Sequence, residues 1–182
     1  MTQGAYIERA LLVIGDQNTG KSTQLRSMFL DRRLGTQSKV PTARNVRNAY
    51  ALSNERWLYL RLTSPHEAGE TLDEFLNKCA GEMQATGQTV RRWNLAGALQ
   101  PTGTGKLPDG PDVIAGFIQR FTPERVRAVI LSPGRSGGYM PVLDHHHLTG
   151  ALHALPGVEV MTTNATTRTA NGLMYADFFD FT

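Results

Sequence analysis

The sequence is short of several things, and each shortage excludes something. It has one cysteine, Cys79, in 182 residues. An internal disulfide is therefore excluded, and a reducing compartment is expected. No apolar run approaches the roughly 20 residues of a membrane-spanning helix. The opening residues, Met1-Thr2-Gln3-Gly4-Ala5-Tyr6-Ile7-Glu8-Arg9, lack the basic-then-apolar pattern of a secretory leader. Together these predict a cytoplasmic protein with no membrane partner. Internal repeats and low-complexity tails are also missing. Net charge is small, at +3. That balance permits anionic partners without arguing for nucleic acid. The basic residues are dispersed and form no recognised nucleic-acid module, so a nucleic-acid partner is permitted but unsupported.

What is present fits one domain over residues 1–182, long enough for a sizeable core. The chain is organised around residues 10–23. A short apolar run, Ala10-Leu11-Leu12-Val13-Ile14, enters a loop with glycine at each end, and Lys21-Ser22-Thr23 opens a helical segment. Gly15-x-x-x-x-Gly20-Lys21-Ser22 fits the phosphate-loop spacing. The glycines let the backbone curl so that its N–H groups approach a phosphate closely. The start of the helix adds partial positive charge and free N–H donors. The candidate nucleotide-binding set is Gly15, Asp16, Gln17, Asn18, Thr19, Gly20, Lys21, Ser22 and Thr23. Lys21 is placed to reach terminal phosphates and is a candidate catalytic residue, and the Ser22 hydroxyl is a candidate Mg²⁺ ligand. On these residues the chain resembles the P-loop NTPase superfamily.

Taken in order, the chain predicts a strand over 10–14 and a helix over 21–33. A hairpin of strands 46–52 and 57–62 follows, turning at 53–55. A long helix over 66–83 carries Ala68, Leu72, Phe75, Leu76, Cys79, Ala80 and Met83 on one face. Cys79 therefore reads as packing, not as a nucleophile. A strand over 90–99 leads to the Pro- and Gly-rich stretch 100–111, read as a mobile loop or lid. Within it, Gly103-x-Gly105-Lys106 imitates a phosphate loop but lacks the first glycine and the Ser or Thr. Then come a helix at 112–121, a strand at 127–131, a helix at 141–155, a strand at 158–161 and a helix over 170–179, with Leu173, Met174 and Phe178 inward. This alternation predicts an α/β three-layer fold: a mostly parallel sheet with helices on both faces. The element order is similar to that of small-GTPase-like P-loop proteins.

That resemblance implies further residues, and the chain departs from several. The family places a Thr before the second strand to help hold Mg²⁺ and the terminal phosphate. Thr42 stands there and is a candidate metal ligand and catalytic residue; a plain loop threonine after Pro41 is the alternative. The family's Asp-x-x-Gly at the end of the third strand is replaced by Thr63-Ser64-Pro65-His66-Glu67. Glu67 or Glu70 is left as a substitute acid, or as a helix N-terminal acid favoured by the dipole. The guanine-reading Asn-Lys-x-Asp is replaced by Ser132-Pro133-Gly134-Arg135, so ATP and GTP both stay open as the ligand. Asp16 is expected to point away from phosphate.

Arg135 and Arg168 follow strand ends, where ligands of open α/β sheets bind. Either is a candidate for stabilising phosphate charge, Arg135 being the candidate catalytic residue, with a plain surface arginine as the alternative for each. Tyr139 and Asn164 are candidate base contacts. Asp144-His145-His146-His147 does not read as a metal site, because consecutive helical residues point about 100° apart.

The expected function is Mg²⁺–NTP binding with slow or partner-assisted hydrolysis, as a switch or assembly factor working with a protein partner. A P-loop phosphotransferase acting on a small molecule or a nucleic-acid end is the alternative enzyme. A non-catalytic nucleotide-binding subunit is the alternative outside enzymes.

Overall fold

A computed structural model describes residues 6–34, 38–42, 47–85 and 92–179. The expected strand start at Val46, the Gly35–Gln37 part of the first helix exit, and the Gly87 and Val90-Arg91 boundary lie outside them. The centre of the molecule is β1 (Ile7–Ile14), which begins earlier than the apolar run suggests. It is followed by α1 (Lys21–Ser27), then β2 (Ala49–Ala51) and β3 (Arg56–Arg61). Next come α2 (Pro65–Ala68), α3 (Leu72–Ala85), β4 (Arg92–Leu99) and α4 (Gly110–Phe121). The chain closes with β5 (Arg125–Leu131), α5 (Val142–His153), β6 (Val158–Thr163) and α6 (Gly172–Asp177).

The six strands form one sheet in the order β2-β3-β4-β1-β5-β6. Only β2 runs antiparallel, paired with β3 across the 52–55 turn. The other neighbours are parallel. The expectation of an α/β protein with a mostly parallel sheet holds. In the sheet β3 is not beside β1, because β4 lies between them, with Leu12 opposite Gly97 and Ile14 opposite Leu99.

Strand alternation divides the core in two. Leu12 and Ile14 face one side, with Phe75, Cys79, Phe117 and Leu152 from α3, α4 and α5. Leu11 and Val13 face the other, with Leu25, Phe29, Tyr175 and Phe179 from the α1 and α6 side. Helices thus cover both faces of the sheet. Cys79 is fully buried, and burial pushes its thiol up to about 12, as befits a packing residue.

Three helices differ most from their expected bounds. The helix expected over 21–33 ends at Ser27 and continues as two 3₁₀ turns, Met28–Leu30 and Arg32–Leu34. The helix expected over 66–83 is two helices. Gly69 adopts φ 67° and closes α2. Thr71 then starts α3 reciprocally: its hydroxyl accepts from the Glu74 N–H, and the Glu74 carboxylate accepts from the Thr71 N–H. Ala68 consequently is exposed and does not share the inward face. The closing helix shortens to Gly172–Asp177 and presents Tyr175 and Ala176 inward, while Leu173 turns outward. A Cβ on Gly172 would lie 2.1 Å from the Ser27 carbonyl oxygen, so glycine is what lets α6 dock against α1.

The stretch 100–111 contains no strand, and only its end joins α4. It is nonetheless tied down by its own bonds, which differs from a free-hanging lid. Thr104 N–H donates to Leu107 O, Gly110 N–H to Pro101 O, and Gly103 N–H to the Asp109 carboxylate. Leu107 is buried in the core.

Candidate functional site

The loop leaving β1 lies at the carboxyl edge of the sheet centre. Its first residue, Gly15, donates its N–H to Leu99 O at the end of β4. Thr19 closes the turn by donating both its N–H and its hydroxyl to Asp16 O. Asn18 (φ 64°) and Gly20 (φ 100°) both take the left-handed conformation, which is how the chain doubles back into α1.

Lys21 is the focus of this loop. Its side chain is only 5% exposed. The ammonium Nζ lies 2.8 Å from Gly15 O and 2.7 Å from Asp16 O, so the side chain folds back over its own loop. Glu67 Oε1, from α2, lies 3.2 Å away. Burial lowers the Lys21 pKa from its ordinary value, while Glu67 and then Asp16 act to raise it.

A cavity of about 160 Å³ opens over this ammonium. It is lined by Asn18, Gly20, Lys21, Ser22 and Thr23, and by Leu62, Glu67 and Arg135 from distant parts of the chain. Arg135 is held there by its backbone: its N–H donates to Thr19 O at 2.9 Å. An added Cβ on Gly20 would come within 3.1 Å of the Arg135 Cβ. The cavity thus gathers two cations and one carboxylate around hydroxyl groups, a balance that favours an anion.

The expected site residues separate at this point. Lys21, Ser22, Thr23, Asn18, Gly20 and Arg135 are brought together. Asp16 and Gln17 are exposed, and Asp16 borders a different cavity. Thr42 is exposed and does not line the cavity over Lys21. Arg168 lines neither cavity and is exposed. Asn164 spends its side-chain oxygen on the Thr166 N–H and hydroxyl. Tyr139 is 76% exposed. The two substitute acids also part: Glu67 faces Lys21, whereas Glu70 is buried away from it, paired with Arg61 and Lys78.

No protein-family model, curated protein or solved structure matches this chain.

Sequence reasoning missed His66. It is buried beside Lys21 and carries α2. Its Nε2 lies 2.9 Å from Pro108 O, and its Nδ1 lies 3.2 Å from the Ser64 hydroxyl and 3.4 Å from Gln100 N. One imidazole therefore joins the α2 turn to both ends of the 100–111 stretch. Ser64-Pro65 was the available signal for a helix start, since Ser64 accepts the His66 N–H and Pro65 fills the first turn. No local signal names the long-range partners.

The second cavity, about 400 Å³, lies on the other side of Asp16. Its walls include Asp109 and Asp144 as well as Met140, Pro141 and Leu148. His147 also faces it, while His145 turns to the Thr162 hydroxyl at 3.0 Å, so the His run diverges as helical geometry dictates. Among the described residues, no group of three His, Cys, Asp or Glu side chains gathers to hold a metal ion. No described helix is long and apolar enough to cross a membrane.

Proposed function

We propose that the chain is a P-loop nucleotide-binding protein whose triphosphate site is the 15–23 loop. The observation that carries this is Lys21: a nearly buried ammonium, folded over the carbonyls of Gly15 and Asp16, at the floor of a cavity that also receives Arg135. A buried charge is costly unless partnered. Glu67 partners it at 3.2 Å beside a small polar cavity, and an anion entering that cavity would take over the pairing. The left-handed Gly20 supports the same reading, because it gives the loop its close approach without a side chain.

Mg²⁺ fits the residues present. Ser22 and Glu67 line one cavity and supply a hydroxyl and a carboxylate, the hard oxygen donors that this cation takes. When bound, the ion would neutralise phosphate charge. In this reading Thr42 is left out of the metal set, and Arg135 meets charge that develops on the phosphates. Among the described residues only one carboxylate, that of Glu67, faces the cavity, and Lys21 engages it. Slow or partner-assisted hydrolysis follows, in a switch or assembly factor.

The second cavity favours one alternative, a phosphotransferase. It borders the same loop through Asp16, and it has room for a small acceptor.

The test is thermal melting and phosphate release with ATP and with GTP, with and without Mg²⁺, on the parent and on Lys21→Ala. The expected result is a nucleotide-dependent rise in melting temperature that Lys21→Ala abolishes. Phosphate release would identify a hydrolase; a shift without release would favour a kinase awaiting its acceptor or a binding subunit. Equal binding by Lys21→Ala and the parent would overturn the reading.

A further inference from the structure

A lysine ammonium has three hydrogens to donate. Around Lys21 Nζ, three oxygens close in: Gly15 O at 2.8 Å, Asp16 O at 2.7 Å and Glu67 Oε1 at 3.2 Å. Two belong to the backbone of the loop and cannot leave without unmaking it. The third ends a flexible side chain that is 27% exposed. With Nζ kept on both carbonyls, an anion that reaches Lys21 takes the place of Glu67.

We propose that Glu67 is the built-in competitor of this anion site. It neutralises Lys21 while the site is empty, and it sets how tightly a metal-free polyphosphate can bind. The inference rests on the nucleotide-binding reading and names a regulating residue of that same site.

The surrounding structure makes the exchange a side-chain rotation. The backbone of α2 is pinned on both sides of Glu67. Ahead of it, the His66 N–H donates to the Ser64 hydroxyl, and the His66 ring is held at Pro108 and Gln100. Behind it, the Gly69 N–H donates to His66 O and the Glu70 N–H to Pro65 O. Glu70 itself is anchored by Arg61 and Lys78. The carboxylate of Glu67 has no such tether, and Lys21 is its ion-pair partner among the described residues.

The electrostatics run in one direction. With Glu67 in place, the nearly buried ammonium is paired and the empty protein is stabilised. The same carboxylate repels an incoming phosphate and blocks its donor. Removing the charge would raise the free energy of the empty state and leave the anion-bound state less affected. Affinity for a metal-free anion would then rise.

Two readouts on the full chain test this, using Glu67→Gln. The first is the rate at which acetic anhydride labels the Lys21 amine, followed by mass spectrometry against exposed Lys78 and Lys106. The second is calorimetric titration with inorganic pyrophosphate in chelator. The expected results are faster Lys21 labelling and pyrophosphate affinity increased by about tenfold, equivalent to about 1.4 kcal/mol. Unchanged labelling, or unchanged or weaker affinity, would overturn the competitor role. Faster labelling with no pyrophosphate bound by either protein would overturn the competitor role alone; the nucleotide reading falls only if the parent's melting temperature is also unmoved by Mg²⁺ with ATP or GTP. If Glu67→Gln fails to fold, Glu67→Asp, whose carboxylate stops one methylene short, carries the same two readouts with smaller increases expected.

Discussion

The His66 ring nitrogen Nε2 lies 2.9 Å from the carbonyl oxygen of Pro108. On its other side, Nδ1 faces the Gln100 N–H at 3.4 Å. A backbone N–H only donates and a carbonyl only accepts, so Nδ1 must be bare and Nε2 must carry the proton. The neutral ring satisfies both neighbours; the charged ring loses the Gln100 contact.

This arrangement gives folding stability a pH dependence. Burial lowers the His66 pKa, the Pro108 hydrogen bond opposes that, the Lys21 charge adds to it, and Asp109 and Glu67 oppose it in turn. The folded-state value lies below the unfolded value of about 6.5. As pH falls through that value, the unfolded chain takes up the proton first, so stability is lost on acidification toward the folded-state pKa. Urea unfolding at pH 7.5 and at pH 5.5 should show a lower midpoint in acid. His66→Gln should flatten that difference, and should cost roughly 1–3 kcal/mol at pH 7.5 by leaving buried backbone partners unmet.

Gly20→Ala tests the loop. With φ at 100°, an alanine there is strained, and its Cβ would stand 3.1 Å from the Arg135 Cβ. The left-handed conformation costs an L-residue roughly 1–2 kcal/mol. Chemical denaturation should register a loss of that order. Calorimetric titration should show nucleotide affinity falling further than stability does, because the loop and Arg135 shift together.

Gln24 joins α1 to the segment that follows β6. Its buried side chain donates to Thr167 O at 2.8 Å and accepts from the Asn171 amide at 3.0 Å. Gln24→Leu should cost roughly 1 kcal/mol, the net worth of such bonds where water can partly replace them. Hydrogen exchange should quicken at residues 164–171 and stay unchanged in β1 and β4. Uniform quickening across the sheet would show that Gln24 supports the whole fold.

Much of the fold was legible because its signals are local. Continuous apolar runs marked β1 and β5, and helical periodicity marked Phe75, Cys79 and Met83 on α3. The boundary errors were also local. The Thr71–Glu74 capping box and Gly69 are both local signals, but the apolar face of 66–83 runs through them in sequence and masks the break. Leu173 is expected inward, but the docking of Gly172 against Ser27 turns it to solvent.

The candidate site divides on the same line. The sequence by itself determined the loop from Gly15 to Thr23, because its glycines, lysine and serine act over a few consecutive residues and need only the chain's own curvature. Asp16, expected to face solvent or a neighbour, is exposed and borders the second cavity. Only the tertiary structure decided which acid meets Lys21, and that Arg135 reaches this loop while Thr42 and Arg168 do not line its cavity. Those pairings depend on β4 lying between β3 and β1, and on His66 fixing α2 at the cavity edge. Sheet order and long-range burial are cooperative properties of the packed core, and no local stretch of residues encodes them alone.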